Sequence, residues 1–130
     1  MKNKITLALI AFVFVFIFDF ICHNLALGSW YEAQAHLWRA PETMSNYLPV
    51  MILAQVLLSI SMALIFIQGY ENKGTSEAIR FGLIVGTLLA SFDLVWFAVS
   101  PIFFKLLLAW LAIAYIKAIL LGFIFVKLYK

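Results

Sequence analysis

The sequence predicts an all-α fold, an integral membrane bundle of four transmembrane helices in a single domain over residues 1–130. Two observations predict it: 66% of the 130 residues are hydrophobic and only 12% are charged, and the mean hydropathy is +1.08. A soluble domain is about 45–50% apolar and about 25% charged, because polar side chains must cover its surface. At about 20 residues per crossing, the apolar runs suffice for about four spans.

The same composition excludes several classes of protein. A disordered chain would be less apolar, and a disulfide-stapled secreted domain would need more than the single cysteine, Cys22. The net charge of +3 comes from few, scattered charges, so we expect no nucleic-acid partner. No nucleophile elbow, phosphate loop, dinucleotide fingerprint or zinc-protease motif occurs, and we expect the chain not to be an enzyme.

The first span is expected over residues 5–24. This run is longer than the apolar core of a secretory signal and contains Asp19, which favours a retained helix. Its phenylalanines alternate with aliphatic residues, as they would in a strand. A segment that crosses a bilayer must satisfy its own backbone hydrogen bonds, however, so we expect a helix.

Residues 25–47 form the longest predicted loop, which we expect to lie along the extracytoplasmic interface. Tyrosine and tryptophan prefer the headgroup level, where the ring meets acyl chains and the polar atom meets water. Within the loop, a short helix is expected over residues 29–39, with Ser29 as its N-cap, Glu32 as the capping-box partner and Pro41 as its stop. The expected interfacial anchors are Trp30, Tyr31, Trp38 and Tyr47.

Three further spans are expected over residues 48–68, 78–99 and 102–126. Pro49 suits the first turn of the second span, where no amide partner is lost. The polar turn at residues 69–74 ends the second span, and Thr75 with Glu77 opens the third. Ser100 and Pro101 predict the start of the fourth span, as a cap followed by proline at the first helical position.

The basic residues predict the orientation. An even number of spans places both termini on one side, and cytoplasmic loops carry an excess of lysine and arginine. We therefore expect a bacterial inner-membrane protein with both termini in the cytoplasm and the aromatic loop outside. The basic residues on the terminal side are Lys2, Lys4, Lys73, Arg80, Lys127 and Lys130, against Arg39 and Lys105 on the other.

Small residues recur at four-residue intervals on the last two spans and predict a packing seam between them. Helices in lipid associate closely where small residues let the backbones approach, although glycine and alanine are also simply frequent in such helices. The short connection makes the third and fourth spans antiparallel neighbours. The seam residues are Gly82, Gly86 and Ala90 on the third span, and Ala114, Ala118 and Gly122 on the fourth.

Three ionisable side chains lie well inside the predicted spans: Asp19, Asp93 and Lys117. Each costs about 2.5–3.5 kcal/mol at mid-helix, so chance retention is not the whole explanation. Their depths place them near the middle of the membrane, where we expect all three to meet. The cluster is either a charge-compensated group that fixes helix register, a proton or ion relay, or a lysine that reaches the interface alone.

An acid and an imidazole recur at one-turn spacing on the extracytoplasmic side, in Asp19 with His23 and in Glu32 with His36. Because this spacing places both groups on one helical face, His23, Glu32 and His36 could supply ligands to Zn or Cu. The alternative interpretation is an interfacial histidine hydrogen-bonded to a carboxylate.

The last half of the chain resembles a group of small bacterial four-helix inner-membrane proteins. The residues that carry the resemblance are those at 69–74 and 77–86, followed by Pro101, Trp110, Gly122, Tyr129 and Lys130. The resemblance implies the four-helix fold. Because the group has no assigned activity, it implies no role for Asp93 or Lys117.

The leading functional hypothesis is a structural or accessory subunit that packs within a larger membrane protein complex. Its partners would be the bilayer and other membrane subunits or further copies of itself, docked on the Phe-rich first helix and the aromatic loop. One alternative is a homo-oligomeric proton-coupled transporter or channel that uses Asp19, Asp93 and Lys117 as relay groups. The other is an extracytoplasmic metal-binding membrane protein.

Overall fold

The computed structural model describes residues 3–129, and this part of the chain is 86% helical, with no strand. A π-helical segment, Phe20–Ala26, continues the first helix, and single 3₁₀ turns occur at Ala35–Leu37 and Ser45–Tyr47. In chain order, the helices are α1 (Lys4–Asp19), α2 (Gly28–Glu32), α3 (Pro41–Met44), α4 (Leu48–Gln68), α5 (Thr75–Val99) and α6 (Phe104–Leu128).

Four helices in the described range are long and apolar enough to cross a membrane: α1 with its extension, α4, α5 and α6. The prediction of an all-α chain with four such helices is therefore confirmed, and the four helices suggest a multi-pass membrane protein. The Phe-rich first run is helical, because a long apolar segment satisfies its own backbone only as a helix. Its start is capped by Asn3, whose Oδ1 accepts hydrogen bonds from the backbone N–H of Ile5 at 3.0 Å and of Thr6 at 3.4 Å.

Several predicted helix bounds differ from the structure; the third span, expected from residue 78, begins at Thr75. The loop helix expected over residues 29–39 is limited to α2; Ser29 lies inside it, and no side chain caps it. Pro41 does not stop that helix but begins α3. The fourth span begins at Phe104 instead of residue 102, and Pro101 precedes it in an extended turn. The physical reason for the later start is a side chain from the loop, Gln34, which binds the backbone of this turn.

The bundle consists of two hairpins: α1 packs on α4, and α5 packs on α6, with α1 also touching α6. The α5–α6 contact is the most extensive in the described chain. Its glycines are needed, since a Cβ on Gly86 would lie 2.6 Å from the Tyr115 ring and one on Gly122 would lie 2.5 Å from the Ala78 carbonyl oxygen. The three expected seam glycines lie at this contact, and all six expected seam residues are buried: Gly82, Gly86, Ala90, Ala114, Ala118 and Gly122.

The core differs between the two ends of the bundle. The terminal half, where α1 begins and α6 ends, is filled by aromatic rings; the Phe66 centroid lies 5.5 Å from that of Phe81 and 5.1 Å from that of Phe125. The loop half, at the end that carries residues 27–47, has a smaller core of Leu27, Ile102 and Leu106 under a layer of aromatic loop residues. The candidate site lies in the loop half.

Candidate functional site

An ion pair joins α1 to α6 in the apolar interior. The Lys117 Nζ atom donates to Asp19 Oδ1 at 2.8 Å and to Oδ2 at 3.2 Å, and the two side chains are only 10% and 15% exposed. Asp19 ends α1, immediately before the π-helical segment, and Lys117 lies about midway along α6. Because the lysine holds both carboxylate oxygens, its charge is compensated by Asp19.

A third helix contributes to the same pair. The Gln55 side chain on α4 donates through Nε2 to Asp19 Oδ2 at 3.3 Å. Its other amide atom, Oε1, is buried and has no hydrogen-bond partner among the described residues. The Ser59 hydroxyl, one turn further along α4, bonds its own helix at the Gln55 carbonyl oxygen, 2.7 Å away. Helices α1, α4 and α6 are thus held together around one carboxylate.

Asp93 stands apart from this pair, so the expected meeting of all three charges is not seen. Its side chain is partly buried on α5, and within residues 3–129 its carboxylate makes no hydrogen bond or ion pair. Asp19 reaches Lys117 from α1 and occupies the ammonium, while Asp93 lies about two turns from the loop end of α5. Asp93 and Lys117 instead line a common cavity.

This cavity, which we name the cleft, has a volume of about 400 Å³ and lies between α5, α6 and the loop. Sites for small molecules commonly measure about 300–1,000 Å³ and combine apolar walls with a few polar groups. The polar groups here are His23, Asp93 and Lys117. The aromatic wall is formed by Tyr31, Trp38, Phe92, Trp96 and Trp110.

A chain of hydrogen bonds closes one side of the cleft. The Trp110 indole N–H donates to the Tyr31 hydroxyl at 2.6 Å, and the same hydroxyl lies 2.6 Å from His23 Nδ1. Since the indole can only donate, all three groups are satisfied when Tyr31 donates to Nδ1. Burial raises the pKa of Tyr31 to about 12, so the phenol keeps its proton and the chain stays intact at neutral pH.

The loop is fastened to the rest of the fold by Gln34, which is 1% exposed. Its Nε2 donates to the Pro101 carbonyl oxygen and its Oε1 accepts from the Phe103 N–H, both at 3.1 Å. These bonds fix the segment that brings Tyr31 and Trp38 onto the cleft. The sequence contains no signal for this role, because a lone glutamine in a loop belongs to no motif and its partners lie far along the chain.

The four aromatic residues expected as interfacial anchors divide into two pairs. Trp30 packs under the Lys105 ammonium, 4.7 Å from the ring centre, and Tyr47 under the Arg39 guanidinium at 3.9 Å. Tyr31 and Trp38 turn inward and pack edge to face, with ring centres 5.7 Å apart. Trp38 also holds a buried indole N–H that has no partner among the described residues.

The expected metal ligands His23, Glu32 and His36 are not brought together. Within the described range, no three histidine, cysteine, aspartate or glutamate side chains form a group that could hold a metal ion. The reason is local structure: α2 ends at Glu32 and His36 lies in a separate 3₁₀ turn, so the one-turn spacing places them on no common helix. His23 is bonded to Tyr31 instead.

A second polar cluster lies in the terminal half, at the turn between α4 and α5, and its groups are paired. The buried Glu77 carboxylate accepts from the Glu71 N–H at 2.6 Å and the Lys73 N–H at 3.1 Å. Arg80 donates to the Gly69 carbonyl oxygen at 2.6 Å. Hydrogen bonds from the Lys73 and Arg80 side chains lower the pKa of the exposed Glu71. These contacts shape the turn and explain why α5 starts cleanly at Thr75.

No family model matches the chain, and neither a curated protein nor a solved structure matches it. The resemblance of its last half to small bacterial four-helix inner-membrane proteins therefore stays a prediction.

Proposed function

We propose that this chain is a proton-coupled transporter that works as a homo-oligomer, with a cleft that binds a small solute beside Asp93. The observation that carries the proposal is the free carboxylate of Asp93, which lines a cavity of about 400 Å³ and has no hydrogen-bond or ion-pair partner within residues 3–129. Ionisable groups inside membrane segments are costly to retain and commonly mark the paths of protons and substrates.

The neighbouring charges support Asp93 as the group that exchanges protons. Lys117 faces it from α6, but the lysine is already neutralised by Asp19 from α1. The titratable groups that face the cleft from the other elements are His23 and Tyr31, and they are bonded to each other. Asp93 is therefore the charged cleft residue that lacks a bonding partner in the described chain.

For the location, we propose the bacterial inner membrane with both termini in the cytoplasm. The basic residues Lys4, Lys73, Arg80 and Lys127 lie at the terminal ends of the long helices, whereas Arg39 and Lys105 lie at the loop end. Lys2 and Lys130, which also count toward this bias, lie outside the described residues. This distribution matches the positive-inside rule and supports an external loop, with solute access to the cleft from outside.

The test is a pH jump applied to proteoliposomes on a solid-supported membrane, which measures charge displacement without requiring a known solute. We expect a transient current from the natural protein and none from Asp93→Asn, because the titrating carboxylate is gone. Glu42→Gln removes an exposed acid from the loop and is the matched control, which should retain the current. An unchanged current in Asp93→Asn, or loss of folding in that variant, would contradict the proposal.

A second candidate function is the accessory subunit, and the surface of α4 favours it. The first seven residues of this helix, 48–54, are exposed on all sides in a single chain; Leu48, Val50 and Leu53 are 51%, 62% and 56% exposed. Lipid, another subunit or a second copy would cover such a surface in a membrane. Native mass spectrometry after extraction in mild detergent separates these cases: a monomer would count against both the accessory subunit and the homo-oligomer.

A further inference from the structure

We infer that the solute is a small organic ammonium ion, bound in the cleft with its charge beside Asp93 and its carbon groups against the aromatic wall. This inference rests on the proposed function and adds the chemical class of the substrate. Three features of the cleft support it: its charge, the position of its rings and its lack of metal ligands.

The charge of the cleft selects a cation. Lys117 donates to both oxygens of Asp19, at 2.8 and 3.2 Å, so this pair is neutral as a unit. Once Asp93 has released its proton, its carboxylate is the charge that pairs with a ligand. An anion would have to approach this carboxylate without compensation, whereas an ammonium ion would complete the balance of the three side chains.

The aromatic residues are placed to bind the organic part of such an ion. On α5, Phe92 adjoins Asp93 in sequence, and Trp96 lies three residues further on, at a spacing that keeps it near the carboxylate. Both rings are well exposed, at 63% and 56%, so they are not committed to the core. Trp110 and Trp38 form the facing wall. Aromatic faces attract cations, and cages of rings are used to recognise quaternary ammonium groups.

Two further observations narrow the chemical class of the ligand. Within the described chain no three metal-ligating side chains come together, so the cleft lacks the donors that a bare metal cation requires. The buried Trp38 N–H, unbonded among described residues, is a donor for a hydroxyl or carbonyl oxygen on the ligand. The ligand is thus an organic cation that fits a volume of about 400 Å³.

Binding of this cation would be coupled to proton release. A protonated Asp93 carboxyl gives up its proton to solvent when the ammonium ion arrives, and the resulting carboxylate pairs with the ammonium charge. One positive charge enters and one leaves, so the net charge of the cleft is unchanged. This exchange is the simplest coupling that a single free carboxylate can provide.

The experiment is calorimetric titration of the full-length protein in detergent at about pH 8 with benzyltrimethylammonium chloride, against sodium chloride at equal ionic strength. We expect saturable binding, and Asp93→Asn should weaken it by about tenfold or more, the factor that corresponds to losing one ion-pair partner. Trp96→Leu should weaken it about threefold or more, while Trp96→Phe, which keeps a π face, should stay within about twofold.

Glu42→Gln is the control and should bind like the natural protein. Absence of saturable binding, or equal binding by the Asp93→Asn and natural proteins, would overturn the inference. Trp96→Leu tests the aromatic wall independently of Asp93, since Trp96 is exposed and contributes little to the core; unchanged binding in that variant would overturn the inference. A pH-jump current that depends on Asp93 without ammonium binding would overturn only the substrate class; Asp93-dependent binding without that current would overturn only the proton coupling.

Discussion

The two halves of the bundle differ in how their polar side chains are paired. In the terminal half, Glu77 and Arg80 are paired with backbone and side-chain partners, and the interior is filled by packed phenylalanine rings. Each half holds a cavity: the one in the terminal half, of about 300 Å³, is lined by the paired Glu71, Glu77 and Arg80, whereas the one in the loop half, of about 400 Å³, is lined by Asp93. The two buried side-chain atoms without a partner among described residues, Trp38 Nε1 and Gln55 Oε1, also lie outside the terminal half. The two cavities thus differ in that the terminal one is lined by paired charges, whereas the cleft is lined by a carboxylate that has no partner among the described residues.

The largest effect is expected at the ion pair between the halves. Asp19→Asn leaves the Lys117 ammonium buried without a counter-charge, which should lower the free energy of unfolding by about 3–5 kcal/mol. Denaturant unfolding in detergent measures it. The double variant Asp19→Leu with Lys117→Met removes both charges and should recover most of the loss, because an apolar pair of similar size is often tolerated. A double variant as unstable as Asp19→Asn would show that the pair does more than neutralise itself.

The second prediction compares the loss of stability on replacing a buried ring of the terminal half with that on replacing an exposed ring of the cleft. Phe125 is fully buried, so Phe125→Ala should destabilise the protein by about 3 kcal/mol through the space it leaves. Trp96, though larger, is 56% exposed, and Trp96→Ala should change stability by less than about 0.5 kcal/mol. Denaturant unfolding in detergent measures the free energy of unfolding of both variants. Equal losses in the two variants would remove the distinction between the terminal half and the cleft.

A smaller loss of stability is expected when the hydrogen bonds that hold the loop at Gln34 are removed. Gln34→Ala leaves the Phe103 N–H and the Pro101 carbonyl without their partner, at a cost of about 1–3 kcal/mol. The loop should then exchange its amide hydrogens faster at residues 28–38, whereas the turn at residues 69–74 should be unaffected. Hydrogen exchange followed by mass spectrometry reads both segments in one experiment. Unchanged exchange at the loop would mean that the aromatic contacts alone hold it.

Some of these structural features could be predicted from the sequence, and others could not. The four long helices were predictable because each is a long apolar run, and the α4 start was predictable from Pro49. The link between Asp19 and Lys117 was within reach, since the rise per residue gives depth. The same rise does not say which carboxylate the lysine holds, and Asp93 makes no hydrogen bond or ion pair among the described residues. The extent of α2 and the start of α6 were mispredicted because Gln34 forms hydrogen bonds with residues far along the chain.

The smallest effect is expected at the terminal turn and depends on pH. The pKa of Glu71 is lowered from 4.5 by hydrogen bonds from Lys73 and Arg80. A carboxyl with a lowered folded-state pKa contributes stability that is present above its ordinary pKa and lost as the pH falls through the lowered value. The thermal midpoint of the natural protein should therefore decline below pH 4.5 slightly more than that of Glu71→Gln. Parallel curves would show that this exposed cluster contributes nothing to folding.

The central claim, that the cleft is accessible at Asp93 whereas the core of the terminal half is packed, has a direct test in cysteine accessibility. Cys22→Ser removes the native thiol, and Asp93→Cys or the matched Val85→Cys, a buried terminal-half position on the same helix, then supplies a single new one. The reagent is the cationic thiol label 2-(trimethylammonium)ethyl methanethiosulfonate, applied to the external side of oriented vesicles and followed by mass spectrometry. The account predicts rapid labelling of Asp93→Cys and none of Val85→Cys. Equal labelling of the two, or no labelling of Asp93→Cys, would contradict it.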